Sequence, residues 1–234
     1  MSGRLLLTFD DRHVASWVAA RPLFDRVGAT VTFFVVEADL LDAGEQRGIR
    51  TLLADGHSVG SHGLRHLDAD AAIADLGTEE YLRAEITPSV EALSALGARG
   101  RSFAYPNSRR DDVSDAVLGQ LFDWMRAGSA RTGDMDVAAR TIMSRPTPVL
   151  PSRGMDTGRG EQAHLADTDV LSSLLRATAE QDATLVLYAH DIAARSQANH
   201  IHPDRLAAVL AEADDLGLQM HGLDRLPLPE SARS

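Results

Sequence analysis

The 234-residue chain contains no cysteine and no lysine. Without cysteine, a disulfide scaffold, a thiolate metal site and a cysteine nucleophile are all excluded. Without lysine, Schiff-base chemistry and the phosphate-binding lysine of a P-loop are excluded, and all 23 basic residues are arginines. No segment approaches the roughly 18 consecutive apolar residues that a membrane-spanning helix needs. The chemistry of this protein must therefore use Asp, Glu, His, Ser, Tyr or Arg.

The charge balance is acidic, with 34 Asp and Glu residues and a formal net charge of −11 at pH 7. Because an acidic surface repels phosphate backbones, we expect no nucleic-acid partner. Residues Met1–Leu7 enter a strand-like segment without the basic and apolar regions of a signal peptide, so we predict a cytoplasmic protein. The length leaves one large domain or two small ones open.

Short apolar segments alternate with helical patterns along the chain. Strands are predicted at Arg4–Phe9, Thr30–Val36, His57–Gly60, Arg101–Tyr105, Phe122–Ala127, Thr184–Ala189 and Gln219–Gly222. Helices are predicted at Val14–Val27, Gln46–Ala54, Thr78–Leu96, Asp112–Leu121, Asp167–Glu180 and Pro203–Leu216. This alternation predicts an α/β fold with a parallel sheet, a TIM-like (β/α) barrel rather than two domains. Residues 128–166 show no periodicity and give no prediction.

Two histidines, His62 and His66, follow the third predicted strand. On a helical turn, residues four apart share one face and can hold one metal ion. The spacing is similar to that of the H-E-x-x-H zinc signature, but Gly63 stands where that class has its glutamate base. A zincin is therefore disfavoured, and the alternative is a pair of surface histidines on a polar loop.

Two adjacent acids, Asp10 and Asp11, end the first predicted strand. Buried together and unpaired, they would repel each other. A divalent cation resolves the conflict if one carboxylate binds it and the other acts as a base. Asp–His–His ligation with an open fourth position is typical of catalytic zinc. Helix capping is the alternative, although it explains one aspartate better than two.

Two further polar clusters follow predicted strands. His190 ends an apolar strand and is the best placed acid for a leaving group, the alternative being a hydrogen-bonded core histidine. The turn Tyr105-Pro106-Asn107-Ser108 can direct backbone N–H groups at a developing oxyanion, the alternative being an ordinary proline turn.

The order of these clusters resembles that of the polysaccharide deacetylase family (the NodB-homology domain, carbohydrate esterase family 4). The similar segments are TFDD at 8–11, GATVTFFVV at 28–36, His-x-x-x-His at 62–66, FAYPN at 103–107 and LVLYAH at 185–190. The resemblance covers roughly residues 4–226 and so implies a single domain over residues 1–234 with its core in residues 4–226. It also implies a distorted seven-stranded barrel and metal-dependent hydrolysis of an N-acetyl group. It further implies that Asp11, His62 and His66 bind the metal. By the same resemblance Asp10 is the base, His190 the acid and the backbone N–H of Asn107 an oxyanion donor.

The chain departs from the family pattern at several positions. Arg12 replaces the usual glycine after the aspartate pair, and Ser108 replaces the glycine that usually closes the proline turn. Ala104 replaces the arginine that usually partners the base, for which Arg101, Arg109 and Arg110 are substitutes to consider. The Asp–Trp motif that supports the acid is not found, because Asp123-Trp124 is predicted in a strand at the wrong place.

We therefore expect a metal-dependent hydrolase that deacetylates an amino sugar or a related small or lipid-linked substrate. One divalent ion is expected, with zinc favoured over cobalt, nickel and manganese. Arg12, Tyr105 and Pro106 are assigned to substrate binding. The alternatives are hydrolysis of another C–N bond, in a formamide or cyclic ureide, and a catalytically silent carbohydrate-binding domain.

Overall fold

The computed structural model describes residues 3–129, 131–159, 162–163 and 167–228. Its centre is a set of parallel strands, most of whose residues are buried. These are β1 (Arg4–Asp11), β2 (Thr32–Val35), β3 (Ser58–Ser61), β4 (Ser102–Ala104), β5 (Trp124–Ser129), β6 (Val149–Gly154) and β7 (Thr184–Ala189).

The seven strands close into a barrel because β1 pairs with both β2 and β7. The closing register runs in parallel from Arg4 opposite Thr184 to Phe9 opposite Ala189. Two short segments extend the sheet, Gln219–Met220 beside β1 and the antiparallel Ile142–Met143 beside β7. The (β/α) barrel and its seven strands are thus confirmed.

Helices surround the barrel. They are α1 (Val14–Ala19), α2 (Arg21–Arg26), α3 (Ala43–Ala54), α4 (Ala69–Leu76), α5 (Thr78–Tyr81), α6 (Thr87–Ser94), α7 (Asp112–Leu118), α8 (Met135–Ala138), α9 (Thr168–Glu180) and α10 (Pro203–Asp215). A π turn at Leu82–Ile86 joins α5 to α6. Among the described residues, no helix combines the length and apolar character required to span a bilayer.

Two of the predicted helices are interrupted. The Val14–Val27 prediction splits at Ala20, because Pro22 near the start of α2 has no N–H to continue the helical hydrogen bonding. The Thr78–Leu96 helix is present as α5 and α6, but a π turn interrupts its α-helical hydrogen bonding shortly before Pro88.

Strand β6 and helix α4 are two of the elements that had no sequence-based prediction. Strand β6 has the sequence VLPSRG, in which proline and polar residues hide the apolar alternation. Helix α4 spans eight residues, too few for a clear period. Both lie close to functional side chains, as described below.

The alternation of side chains along β1 decides what enters the barrel. Leu5, Leu7 and Phe9 pack outwards in the main core between sheet and helices. Leu6 belongs instead to an interior cluster with Phe34, Val186 and others. Because side chains two apart in a strand share a face, Asp10 lies on the interior face at the carboxyl end of β1.

Candidate metal centre

Asp11, His62 and His66 come together at the carboxyl ends of β1 and β3. One ligand atom from each lies within 4.8 Å of the others. The two imidazole Nε2 atoms are 3.2 Å apart, and each is 3.7 Å from Oδ1 of Asp11. Two imidazole nitrogens and a carboxylate oxygen at these distances form a donor set suited to a divalent transition metal.

The hydrogen bonds of His62 prepare it for ligation. Its Nδ1 lies 2.8 Å from the carbonyl oxygen of Ala104, so Nδ1 carries the proton and Nε2 presents a lone pair. Burial lowers the pKa of His62 to about 4, with Arg126 adding to the effect and Asp10 opposing it. The ring is therefore neutral at physiological pH, as a metal ligand must be.

His66 lies on an irregular loop and not on the helical turn that was considered for the histidine pair. Gly63 and His66 both have left-handed backbone conformations, with φ of 79° and 60°. The buried carboxylate of Glu85, in the π turn, accepts hydrogen bonds from the backbone N–H groups of Arg65 and Leu67 at 2.9–3.0 Å. A Cβ at position 63 would lie 2.4 Å from Glu85 Oε1, so glycine is required there.

Asp10 forms a buried ion pair with Arg126 of β5. Position 126 is the register partner of Ala104 on β4, so the guanidinium comes from the neighbouring strand at the same level of the barrel. Arg126 is therefore the cation that partners Asp10 in place of the arginine that Ala104 replaces. The three substitutes considered from the sequence were wrong. Those three pair elsewhere, Arg101 with Asp123, Arg109 with Asp70 and Arg110 with Asp115.

The surroundings of Asp10 keep it ionised. Burial raises its pKa, but the charge and hydrogen bond of Arg126, together with the charge of His190, oppose burial, and the pKa lies below its ordinary value. The Arg126 guanidinium is held over the Tyr188 ring, 4.8 Å from its centroid. Oδ1 of Asp10 is buried and has no hydrogen-bond partner within the described part of the chain.

His190 pairs with Asp156, which follows β6. Its Nδ1 lies 2.7 Å from Asp156 Oδ2, and its backbone N–H donates to Oδ1 at 3.1 Å. Burial opposes the imidazolium, but the hydrogen bond and charge of Asp156 with the fields of Asp10 and Asp11 raise the pKa of His190 to about 9. The sequence showed no acidic partner for His190, and this is corrected, because Asp156 takes that place. Asp156 was missed because it lies within residues 128–166, which gave no prediction.

A cavity of about 360 Å³ opens onto these groups. It is lined by Asp10, Asp11, His62, His66, Tyr105, Asn107, Ser108, Arg126, Arg159, Tyr188, His190, Ala198 and Asn199. The cavity therefore joins the donor set, the Asp10–Arg126 pair and His190 in one space.

Several of the other predicted site residues direct their polar groups to other parts of the protein and not into the cavity. Arg12 is not in the cavity lining and donates hydrogen bonds to Glu45, Glu37 and the carbonyl of Leu40. The Tyr105 hydroxyl points away, to Asp115 at 2.8 Å. Pro106 is buried beside Asn107, whose side chain donates to Asp68 at 2.9 Å. A substrate role for Arg12, Tyr105 or Pro106 stays a prediction.

The model of the polysaccharide deacetylase family matches residues 2–121, just over half of the sequence. The chain belongs to this family.

Among solved structures, this polysaccharide deacetylase family member is similar to the catalytic domain of the peptidoglycan N-acetylglucosamine deacetylase from Eubacterium rectale. The TM-score is 0.58, and the sequences are 16% identical over 98% of this chain and 92% of that one. The polysaccharide deacetylase from Bacillus cereus gives a TM-score of 0.58 and 15% identity over 98% and 97% of the two chains. At these identities the likeness shows the shared barrel fold.

One curated relative is a protein named gellan lyase from a Bacillus species. It is 30% identical to this chain over 115 residues, which are 48% of this chain and 4% of that protein. The chain therefore spans a small fraction of that relative's length.

Three residues that contact the candidate site residues or their loops, Arg126, Asp156 and Glu85, were missed in the sequence. Arg126 lies in β5, whose register no local pattern reveals, and Asp156 follows β6, which gave no strand signal. Glu85 lies in the middle of an ordinary helical pattern. The one usable signal was that a buried ion pair needs a second charged residue in a strand, and among the predicted strands only Arg4, Arg101 and Arg126 supply an arginine, of which Arg126 alone does not begin its strand.

Proposed function

We propose that this chain is a metal-dependent deacetylase that hydrolyses the acetamide of an N-acetylated amino sugar. The observation that carries the proposal is the convergence on one cavity of an Asp–His–His donor set, an ionised buried carboxylate and a carboxylate-bound histidine. Amino sugars are favoured because the family is the polysaccharide deacetylases and one similar structure is named for peptidoglycan N-acetylglucosamine.

Asp11, His62 and His66 would hold the metal. The fit is supported by the spacing of their ligand atoms and by the fixed Nδ1–H tautomer of His62. A divalent ion held there supplies a water of lowered pKa and polarises the substrate carbonyl. Zinc suits two imidazoles and one carboxylate, with cobalt, nickel and manganese as the other candidates.

Asp10 is proposed as the base. Its Oδ2 is occupied by Arg126, which leaves the unpartnered Oδ1 to accept the proton of the attacking water. The lowered pKa keeps this oxygen ionised at neutral pH. Arg126 therefore acts through Asp10, by holding its charge and its orientation.

His190 is proposed as the acid. A pKa of about 9 keeps its imidazole protonated at neutral pH, and Asp156 occupies Nδ1, so Nε2–H is the proton available to the departing amine. After that transfer the amine leaves as a neutral group and Asp156 stabilises the ring for reprotonation. The backbone N–H of Asn107 remains the proposed oxyanion donor on this side of the cavity.

The case for a catalytically silent binding domain rested on two missing partners. Arg126 pairs with the base and Asp156 with the acid, so both of those grounds are removed. Hydrolysis of a formamide or cyclic ureide uses the same groups and is kept as an outcome of the substrate test.

The test is acetate release from N-acetylglucosamine oligomers, run beside N-formyl and cyclic ureide compounds. We expect turnover of the acetylated sugars and a loss of about 10²–10⁴-fold in Asp10→Asn, the usual contribution of a general base. Asp123→Asn, which removes an arginine-paired aspartate outside the cavity, serves as the control and keeps full activity. Turnover of the formyl or ureide compounds alone would overturn the acetyl specificity.

A further inference from the structure

Asp167 lies at the centre of a cluster of three arginines. Its Oδ2 accepts from Arg131 Nε at 2.6 Å and from Arg153 Nη2 at 3.3 Å. Its Oδ1 accepts from Arg131 Nη2 at 2.8 Å and from Arg205 Nη2 at 2.7 Å. The Asp167 carboxylate is 9% exposed and Arg153 is 1% exposed, so the cluster is largely shielded from water.

Two of these arginines also hold the backbone that carries Asp156. Arg131 Nη1 donates to the carbonyl of Asp156 at 2.7 Å, and Arg205 Nε donates to the carbonyl of Met155 at 3.1 Å. Consecutive carbonyls thus accept hydrogen bonds from guanidinium groups that share one carboxylate. Asp156 in turn holds His190 through both of its oxygens.

The conformation of Asp167 indicates that its side chain serves this cluster and not the helix. It immediately precedes α9, a position where an aspartate normally accepts the free N–H groups of the first turn. Its side chain makes no capping hydrogen bond, and its backbone is not extended as in a usual cap, with φ −122° and ψ 16°. The capping interaction is given up in favour of the arginines.

We propose that Asp167 is a positioning residue for the acid of the reaction: through Arg131 and Arg205 it fixes Met155–Asp156, and so fixes the Asp156 carboxylate against His190. The catalytic part of this inference rests on the proposed function, whereas the positioning of His190 does not. Without the Asp167 charge, the guanidinium groups repel one another and leave the two carbonyls. Asp156 then loses its fixed place beside the ring.

The test compares Asp167→Asn with Asp123→Asn in protein labelled with ¹⁵N-histidine. Asp123 is a matched control because its side chain is similarly buried at 11% exposed and binds Arg101 away from the cavity. The readout is the Nδ1 proton resonance of His190, identified by its loss in His190→Gln. A strong hydrogen bond to a carboxylate gives this proton a downfield position and slow exchange with water.

We expect the resonance to move upfield and exchange faster in Asp167→Asn and to persist in Asp123→Asn. The kcat of Asp167→Asn should fall about 10–100-fold at unchanged metal content, the usual effect of losing a group that orients a site residue. The outcome that overturns the inference is an unchanged resonance and kcat with a lowered melting temperature, since that describes a purely structural ion cluster.

A second variant covers the case in which Asp167→Asn does not fold. Arg205→Met leaves Asp167 with Arg131 and Arg153 but releases the carbonyl of Met155, and we expect the same change in the resonance. A wild-type protein without deacetylase activity whose resonance still depends on Asp167 would remove the proposed function and keep the positioning role. The two failures are therefore distinguishable.

Discussion

Replacing Arg126 with methionine removes the cation that pairs with Asp10 inside the barrel. Both side chains are almost completely buried, at 2% and 3% exposure. Removing one partner of a buried pair costs about 3–5 kcal/mol, because it leaves a charge without compensation. For a chain of this size each kcal/mol lowers the melting temperature by about 2–4 °C, so we expect a fall of about 6–20 °C.

The pH dependence of this loss has a definite sign. In the wild type the pKa of Asp10 is lowered, so its ionised form contributes stability above the unfolded pKa and loses it as the pH falls through the folded value. Without Arg126, burial is less opposed and the pKa of Asp10 rises. The loss of stability in Arg126→Met is then largest at neutral pH and becomes smaller on acidification. The acidic limb of the activity profile also moves to higher pH.

Thermal denaturation between about pH 4 and pH 8 measures both effects. Arg101→Met is the matched control, since Arg101 is 60% exposed and a surface pair is worth about 0–1 kcal/mol. An exchange variant, Arg126→Ala with Ala104→Arg, returns the guanidinium to the register partner and should recover part of the stability. An Arg126→Met protein within about 1 kcal/mol of wild type at neutral pH, with full activity, would refute the reasoning.

Three further changes test the rest of the site. Asp156→Asn removes the charge that raises the pKa of His190, so the basic limb of kcat/KM should move down from about 9, and an unmoved limb would contradict that assignment. Glu85→Gln places amide hydrogens against backbone N–H groups and should weaken metal binding about 10–100-fold by calorimetric titration, whereas full affinity would show that the loop does not depend on it. Gly63→Ala should destabilise more than Gly28→Ala, because both have positive φ but only position 63 meets Glu85, and equal melting temperatures would argue against that contact.

The side chains that follow strands were predictable from the sequence. Asp10, Asp11 and His190 each end a strand whose apolar pattern was clear, and parallel strands of a barrel bring their carboxyl ends together. His62 was predictable for the same reason. These residues could be predicted from the local strand pattern together with the rule that the carboxyl ends of parallel barrel strands lie at one end of the barrel.

The partners of those side chains were not predictable. Arg126 reaches Asp10 because of the strand register, which depends on packing around the whole barrel. Asp156 follows β6, whose proline and polar residues gave no strand signal. The loop from Gly63 to His66 takes its shape from Glu85, a residue about twenty positions later in the chain, and so the helical spacing of the two histidines was misleading.

Metal stoichiometry by elemental analysis tests the central claim most directly. Wild type, His62→Ala and His221→Ala should be purified in parallel and offered zinc, cobalt, nickel and manganese. His221 is a partly buried histidine outside the cavity and controls for the loss of an imidazole. We predict about one ion per chain in wild type and His221→Ala and almost none in His62→Ala. A wild type that binds no metal, or a His62→Ala protein that keeps a full equivalent, would contradict the account.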